Sequence, residues 1–194
     1  DFTINSIYSD KDGNLFDPFN GKKDLENGVI NFIGEPSKRI KEDYLRILRY
    51  LRFFLCYSKK SHNSEIIRSI KINLDGISKL SKERLLDELK KIFKIEIFEK
   101  LSKDKLCLEL ILVIFPELRN IKIFSKLDTY KKNILKDKDF IFLLSLMIID
   151  DTDNVDYFLY RFNISKKDQK RIKNIDNFYK DKISIKTLTE NNMN

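Results

Sequence analysis

From Ser37 onward, apolar residues recur at helical spacing and do not return to the alternation of a strand. The clearest stripe is Tyr44, Leu48, Leu51 and Leu55. A pattern this long dictates helix packed on helix for most of the chain. It predicts helices at about 39–57, 63–73, 81–93, 95–101, 104–113, 121–135, 138–149, 153–162 and 165–180, with a short one near 184–190. Ser81, Ser102, Asp137 and Ser165 are the expected N-caps, although Arg84 rather than Glu at the third helical position leaves the Ser81 capping box open. Only the first 33 or so residues read as β-rich. Thr3–Tyr8 and Asn14–Phe16 are expected to flank a turn at Asp10-Lys11-Asp12-Gly13, and Val29–Ile33 to follow a second turn at Asn27-Gly28. The expected class is therefore α+β, strands first and helices after.

Asp10 and Asp12 form a D-x-D pair that invites a metal reading. The Gly13 beside them favours a type I′ hairpin turn instead, since Asp-Gly supplies the positive φ angles. A calcium loop fails because the glycine comes too early and no Glu stands at the twelfth position.

With 194 residues, the chain can bury one or two cores. Hydrophobic residues at 42% and charged residues at 35% place it among globular rather than disordered chains. A net charge of +8 suits a polyanionic partner, though a lysine-rich proteome is basic everywhere. Against that lysine bias, Arg39, Arg46, Arg49 and Arg52 cluster where a planar fork is wanted. Cys56 and Cys107 lack metal spacing and read as buried thiols of a reducing compartment. His62 has no nucleophile context, which argues against a catalytic triad. The longest apolar run, Phe140 to Ile149, is too short to span a bilayer, and no signal peptide is visible; a cytoplasmic protein with no membrane partner is expected. Phe98, Leu106, Leu110, Phe115, Phe140, Phe142 and Leu143 read as core.

Asp43 and Arg46 lie three apart, away from the apolar stripe. A fixed pair of this kind can read a base edge, Asp accepting from an exocyclic amine and Arg donating to the adjacent ring nitrogen. Cytosine and adenine offer that polarity; uracil and guanine offer the reverse. The alternative is an ordinary i,i+3 surface ion pair.

Several segments fall in a recognisable order: Asp1-Phe2-Thr3-Ile4-Asn5, Asp17-Pro18-Phe19-Asn20-Gly21-Lys22-Lys23-Asp24-Leu25, Ile33-Gly34-Glu35-Pro36, Glu42-Asp43-Tyr44-Leu45-Arg46, Ser81-Lys82-Glu83-Arg84 and Ile114-Phe115-Pro116-Glu117-Leu118. In that order they resemble the bacterial class II tRNA nucleotidyltransferase and poly(A) polymerase family. The resemblance implies the terminal strands of a nucleotidyltransferase head over 1–36, a helical neck over 37–95 carrying the nucleotide template and an RNA-binding region, and a helical body over 96–194. The family's D-x-D carboxylates and phosphate loop precede the motif at Asp1, so the chain is expected to be a piece without them, and the polar end at Thr187–Asn194 to be cut as well.

By resemblance, Asp1 and Asn5 contact the ribose, and Thr3 between them is a strand residue. Asp17–Leu25 is a flexible loop hinged at its glycine, where Asp24 either takes part or caps a turn. Asp43 and Arg46 form the nucleotide template and Arg49 orients it or reaches a phosphate. Glu42, Glu83 and Arg84 brace it, a bridge from Glu83 or Glu88 to a clustered arginine being the expected means. The implied reaction is transfer of CMP and AMP from CTP and ATP to a tRNA 3′ end, with two Mg²⁺ ions whose ligands lie outside this chain, and no catalytic residue within it. Poly(A) addition and a noncatalytic RNA-binding module are the alternatives.

Overall fold

The computed structural model describes residues 1–93 and 95–191, and divides into two compact units, Asp1–Ile92 and Phe93–Asn194. The last three residues of the polar end lie outside the described residues.

The first unit opens with a 3₁₀ turn at Thr3–Asn5 where a strand was expected, followed by the short strands β1 (Tyr8–Ser9) and β2 (Leu15–Phe16). These pair antiparallel, Tyr8 opposite Phe16 and Ser9 opposite Leu15. Their connection is a hairpin turn but not type I′. Gly13 alone has positive φ (85°), and its N–H bonds the Asp10 carbonyl, so a three-residue loop ends in a glycine bulge. Phe2 bridges Phe32, the Thr3 N–H bonds the Asn31 carbonyl, and the Ile33 N–H bonds the Asp1 carbonyl. The expected Val29–Ile33 strand is thus reduced to this contact.

Between them, Asp17–Leu25 is not a loop throughout, because α1 (Gly21–Asn27) occupies its second half. The Asp17 carboxylate accepts from the Gly21 and Lys22 N–H groups at 2.7 and 2.9 Å, which starts the helix. Gly21 is buried in helix, and a Cβ there would stand 2.1 Å from the Thr3 carbonyl oxygen. Close approach, rather than a hinge, explains the glycine here. Asp24 ties this turn down by accepting from the Thr3 hydroxyl at 2.6 Å and the Asn31 amide at 3.2 Å.

Four α-helices and a 3₁₀ turn complete the unit: α2 (Pro36–Glu42), α3 (Arg46–Tyr57), α4 (Ser64–Asn73), the turn at Leu74–Lys79 and α5 (Lys82–Ile92). The expected helix over 39–57 is two. Asp43 is extended (φ −153°, ψ 105°), and its carboxylate accepts from the Leu45 N–H at 3.1 Å. A short acidic side chain that bonds its own backbone competes with helix continuation, so the chain turns and restarts. Leu48, Leu51 and Leu55 form the buried stripe of α3, and Tyr44, before the helix, is half-buried.

The second unit holds α6 (Ile95–Lys103), α7 (Lys105–Ile114), a 3₁₀ turn at Ile121–Lys126, α8 (Thr129–Lys136), α9 (Phe140–Ile148), α10 (Asn154–Arg161) and α11 (Lys166–Asn191). One long helix replaces the two expected after residue 165. Asp104 caps α7 and Asp139 caps α9, displacing the expected Ser102 and Asp137 by two positions each. Ser165 does cap α11, its Oγ accepting from the Asp168 N–H. Phe98, Leu110, Phe115 and Leu143 are core, whereas Leu106, Phe140 and Phe142 are only half-buried. Buried Glu117 accepts two bonds from Arg161 (2.7 and 2.8 Å), tying α10 to the end of α7. No helix among the described residues is long and apolar enough to cross a membrane.

Candidate functional site

Of the clustered arginines, Arg46, Arg49 and Arg52 sit on α3 at i, i+3 and i+6 and Arg39 on α2, and one face of α3 meets the start of the chain. Phe2, fully buried, packs edge-on against Phe53 with ring centroids 5.2 Å apart. Phe53 stands four residues beyond Arg49, so the same packing brings Asp1 over Arg46 and Arg49. The Asp1 Oδ1 accepts from Arg46 Nε at 2.8 Å, and its Oδ2 accepts from Arg49 Nη1. Arg46 Nη1 donates further to Glu42 at 2.7 Å and to the Arg39 backbone carbonyl in the last turn of α2. That carbonyl belongs to the end of a helix, where a cation is favoured by the unsatisfied acceptors. Arg39 Nη1 donates to the same Glu42 oxygen. Hydrogen bonds from Arg46 and then Arg39 hold the Glu42 carboxyl below its usual range.

Asp43 faces a different partner. Its two oxygens accept from Arg84 Nη2 at 3.0 and 2.9 Å, across from α5. The expected proximity of Asp43 and Arg46 on one helix face is therefore corrected. Asp43 lies in the break before α3, and the acid and the base are gripped separately, with no ion pair between them among the described residues. Arg49 is 30% exposed and also leans on Asp1. Asn5 is exposed, and its side-chain oxygen accepts from the Phe2 N–H at 3.0 Å. Glu83 is exposed and makes no ion pair among the described residues. The acidic brace from α5 is Glu88, fully buried, accepting from Arg52 at 2.5 Å and from Lys91 at 3.1 Å. The Arg52 guanidinium also lies over the Phe53 ring, 4.2 Å from its centroid.

Sequence reasoning missed two features: the Arg39 carbonyl that fixes Arg46, and the turning of Asp1 toward the arginines. Neither carries a local signal, since the Asp1 contacts span 45 and 48 positions.

Arg46 has five N–H groups, three of them engaged on Nε and Nη1. Its Nη2 has no hydrogen-bond partner among the described residues. Asp43 supplies a carboxylate steadied by the Arg84 cation. Each of the two groups is held by partners of its own.

The carboxylates of the unit do not fit a catalytic metal. Asp10 accepts from the Asp12 and Asn14 N–H groups at 2.9 and 2.8 Å and from the Asn14 amide at 2.9 Å; these bonds, the Asn14 side chain's first, hold it below the usual carboxylate range. Asp1 is committed to two guanidiniums. Within either unit, no three His, Cys, Asp or Glu ligand atoms converge among the described residues.

Comparison with known proteins finds partial matches. Residues 1–31 match the Poly A polymerase head domain. Over 94 residues the chain is 47% identical to CCA tRNA nucleotidyltransferase 1, mitochondrial, of Homo sapiens, and over 92 residues 41% identical to the CCA-adding enzyme of Staphylococcus epidermidis. Its first half is thus similar to tRNA nucleotidyltransferases, and its opening residues to the poly(A) polymerase head. Each alignment covers 47% of this chain and under a quarter of the relative, 22% and 23%. The fold agrees with the crystal structure of the Bacillus stearothermophilus CCA-adding enzyme in complex with CTP. That match has a TM-score of 0.67 at 22% identity and covers 93% of this chain and 45% of that one.

Proposed function

We propose that the protein is a CCA-adding tRNA nucleotidyltransferase, transferring CMP and AMP from CTP and ATP to a tRNA 3′ end, and that this chain selects the nucleotide. The observation that carries the reading is the separate grip on Asp43 and Arg46. A carboxylate held by Arg84 can accept from the exocyclic amine of C or A, and the free Nη2 of Arg46 can donate to the neighbouring ring nitrogen. Uracil and guanine would set carbonyl against carboxylate and N–H against guanidinium. Leaving such groups unpaired costs about 1–3 kcal/mol each, enough for selection without a nucleic-acid template. The names of the relatives support the same reading.

Supporting roles follow from position. Glu42 and Arg84 hold the two template groups, Glu88 holds α5 to α3, and Arg49 keeps free N–H groups for a phosphate. Asn5 offers its amide to a sugar hydroxyl. The basic surface, at net charge +8, suits the phosphates of tRNA. Mg²⁺ is the metal expected for this reaction class. The carboxylates described here do not fit it, so no step is assigned to a metal on these residues.

The test is incorporation on a tRNA lacking its 3′ CCA, with each nucleotide alone and in mixture, by the protein expressed from its natural gene. Two CMP followed by one AMP, with UMP and GMP refused, is expected. Long runs of AMP alone would favour the poly(A) reading that the head-domain match also permits. RNA binding without incorporation would favour the noncatalytic one.

A further inference from the structure

The Asp1 carboxylate is only 15% exposed, and both its oxygens are spent on α3, one on Arg46 Nε and one on Arg49 Nη1. With the Arg39 carbonyl and Glu42 on Nη1, Arg46 is held on three sides and is itself only 11% exposed. We propose that Asp1 is a positioning residue for base selectivity: it locks Arg46 so that a single nitrogen, Nη2, can face the base. This rests on the template reading of Asp43 and Arg46.

The chemistry of an unlocked guanidinium shows why the lock matters. Arginine carries five donors in a flat fork, and two adjacent ones make a good bidentate contact to carbonyl and ring acceptors such as O6 and N7 of guanine. Uracil likewise offers carbonyl oxygens. An Arg46 free to turn could bring Nε–H and an Nη–H together onto those acceptors and so accept the wrong bases. Occupying Nε with Asp1, and Nη1 with the end of α2, removes every such pair of adjacent donors. Selectivity then comes as much from the donors withheld as from the one presented. The Phe2–Phe53 and Phe2–Phe32 ring contacts, the latter at 4.4 Å, hold the Asp1 backbone for this.

A contact between Asp1 and the ribose predicts something different, a change in the preference for ribose over deoxyribose. The experiment therefore compares Asp1→Asn and Asp1→Ala with the wild type by two ratios, CTP over UTP and CTP over dCTP, with the protein expressed from its natural gene. In parallel, the Arg46 side-chain Nε–H resonance is followed by NMR in the 194-residue chain. The lock predicts a protected Nε–H signal that both variants lose, a CTP-over-UTP ratio lowered about tenfold or more, and a steady CTP-over-dCTP ratio. An unchanged CTP-over-UTP ratio, a shift confined to dCTP, or an Nε–H signal indifferent to Asp1 would each overturn it. A wild-type protein that incorporates no CMP refutes the proposed reaction, and the selectivity role with it. The resonance then still reports whether Asp1 holds Arg46.

Discussion

Replacing Asp43 separates its structural work from its chemical work, because the two have different sizes. In stability terms Asp43 provides one turn-forming bond, to the Leu45 N–H at 3.1 Å, and one ion pair, to an Arg84 that is 47% exposed. Loss of a capping bond costs about 1 kcal/mol. An ion pair this open to solvent adds about 0–1 kcal/mol. Asp43→Ala should therefore cost about 1–2 kcal/mol, or roughly 2–8 °C in Tm for a protein of this size. Asp43→Asn, whose amide oxygen caps nearly as well, should cost about 1 kcal/mol or less. Selectivity should move much further. Without the carboxylate, the exocyclic amine of C or A has no acceptor, so the preference for CTP over UTP should fall tenfold to several hundredfold, or about 1.4–3.5 kcal/mol. Asn also brings an N–H₂ donor to a place that held only acceptors, so Asp43→Asn should raise UMP incorporation above the Ala level. Steady-state incorporation of all four nucleotides, with circular dichroism and thermal melts on the same samples, separates the two effects. A folded Asp43→Ala protein with the wild-type CTP-over-UTP ratio would refute the template role.

Other expectations follow from the remaining ion pairs. Glu88→Ala strips the partner from Arg52 at a carboxylate that has no exposed surface; the 20% exposure of Arg52 moderates the usual penalty for breaking such a pair to roughly 2–4 kcal/mol, measurable as a lowered denaturant midpoint. Glu99, on α6, is drawn down from 4.5 to about 2 by Lys132 and Lys103, so its contribution to folding is fully present above about pH 4.5 and is lost as pH falls toward 2. An NMR titration should place the Glu99 midpoint near that value, and Lys132→Ala should move it upward. Binding of the chain to tRNA should weaken about tenfold or more between roughly 50 and 200 mM salt if two or three phosphates are neutralised, which a filter-binding series would reveal.

Periodicity carried the helices well and their ends poorly. The stripe of Leu48, Leu51 and Leu55 is buried as spaced, because a 3.6-residue repeat depends on nothing beyond the helix itself. The break at Asp43 escaped that signal, since residues on either side keep a helical pattern while one carboxylate diverts the backbone. Thr3 reads as the start of a strand leading to the Asp-Gly turn and turns out to sit in a 3₁₀ turn, its hydroxyl bonded to Asp24. The Asp-Gly sequence announced a hairpin but not its type, because only one of its residues takes positive φ. The motif order pointed to residues of interest and was silent on their partners. Asp1 meets Arg46 across 45 positions, and Asp43 meets Arg84 across 41, contacts set by packing that no local pattern encodes.

The break before α3 has a consequence for how selection can work. Had α2 and α3 been one helix, Asp43 and Arg46 would share a face at i,i+3 and could neutralise one another. Each would then have to give up its partner to meet a base, at a cost like that of any broken ion pair. The extended Asp43 instead places the acid against Arg84 of α5 and leaves the base to Asp1, Glu42 and the end of α2. Both groups stay compensated without neutralising one another. On the proposed template reading, little reorganisation is needed when a nucleotide arrives, which is the condition under which a few hydrogen bonds discriminate strongly. Glu88 matters for the same reason: it fixes α5, which carries Arg84, to the helix that carries Arg46. Loosening that joint should blur base choice even though Glu88 itself is buried away from any ligand.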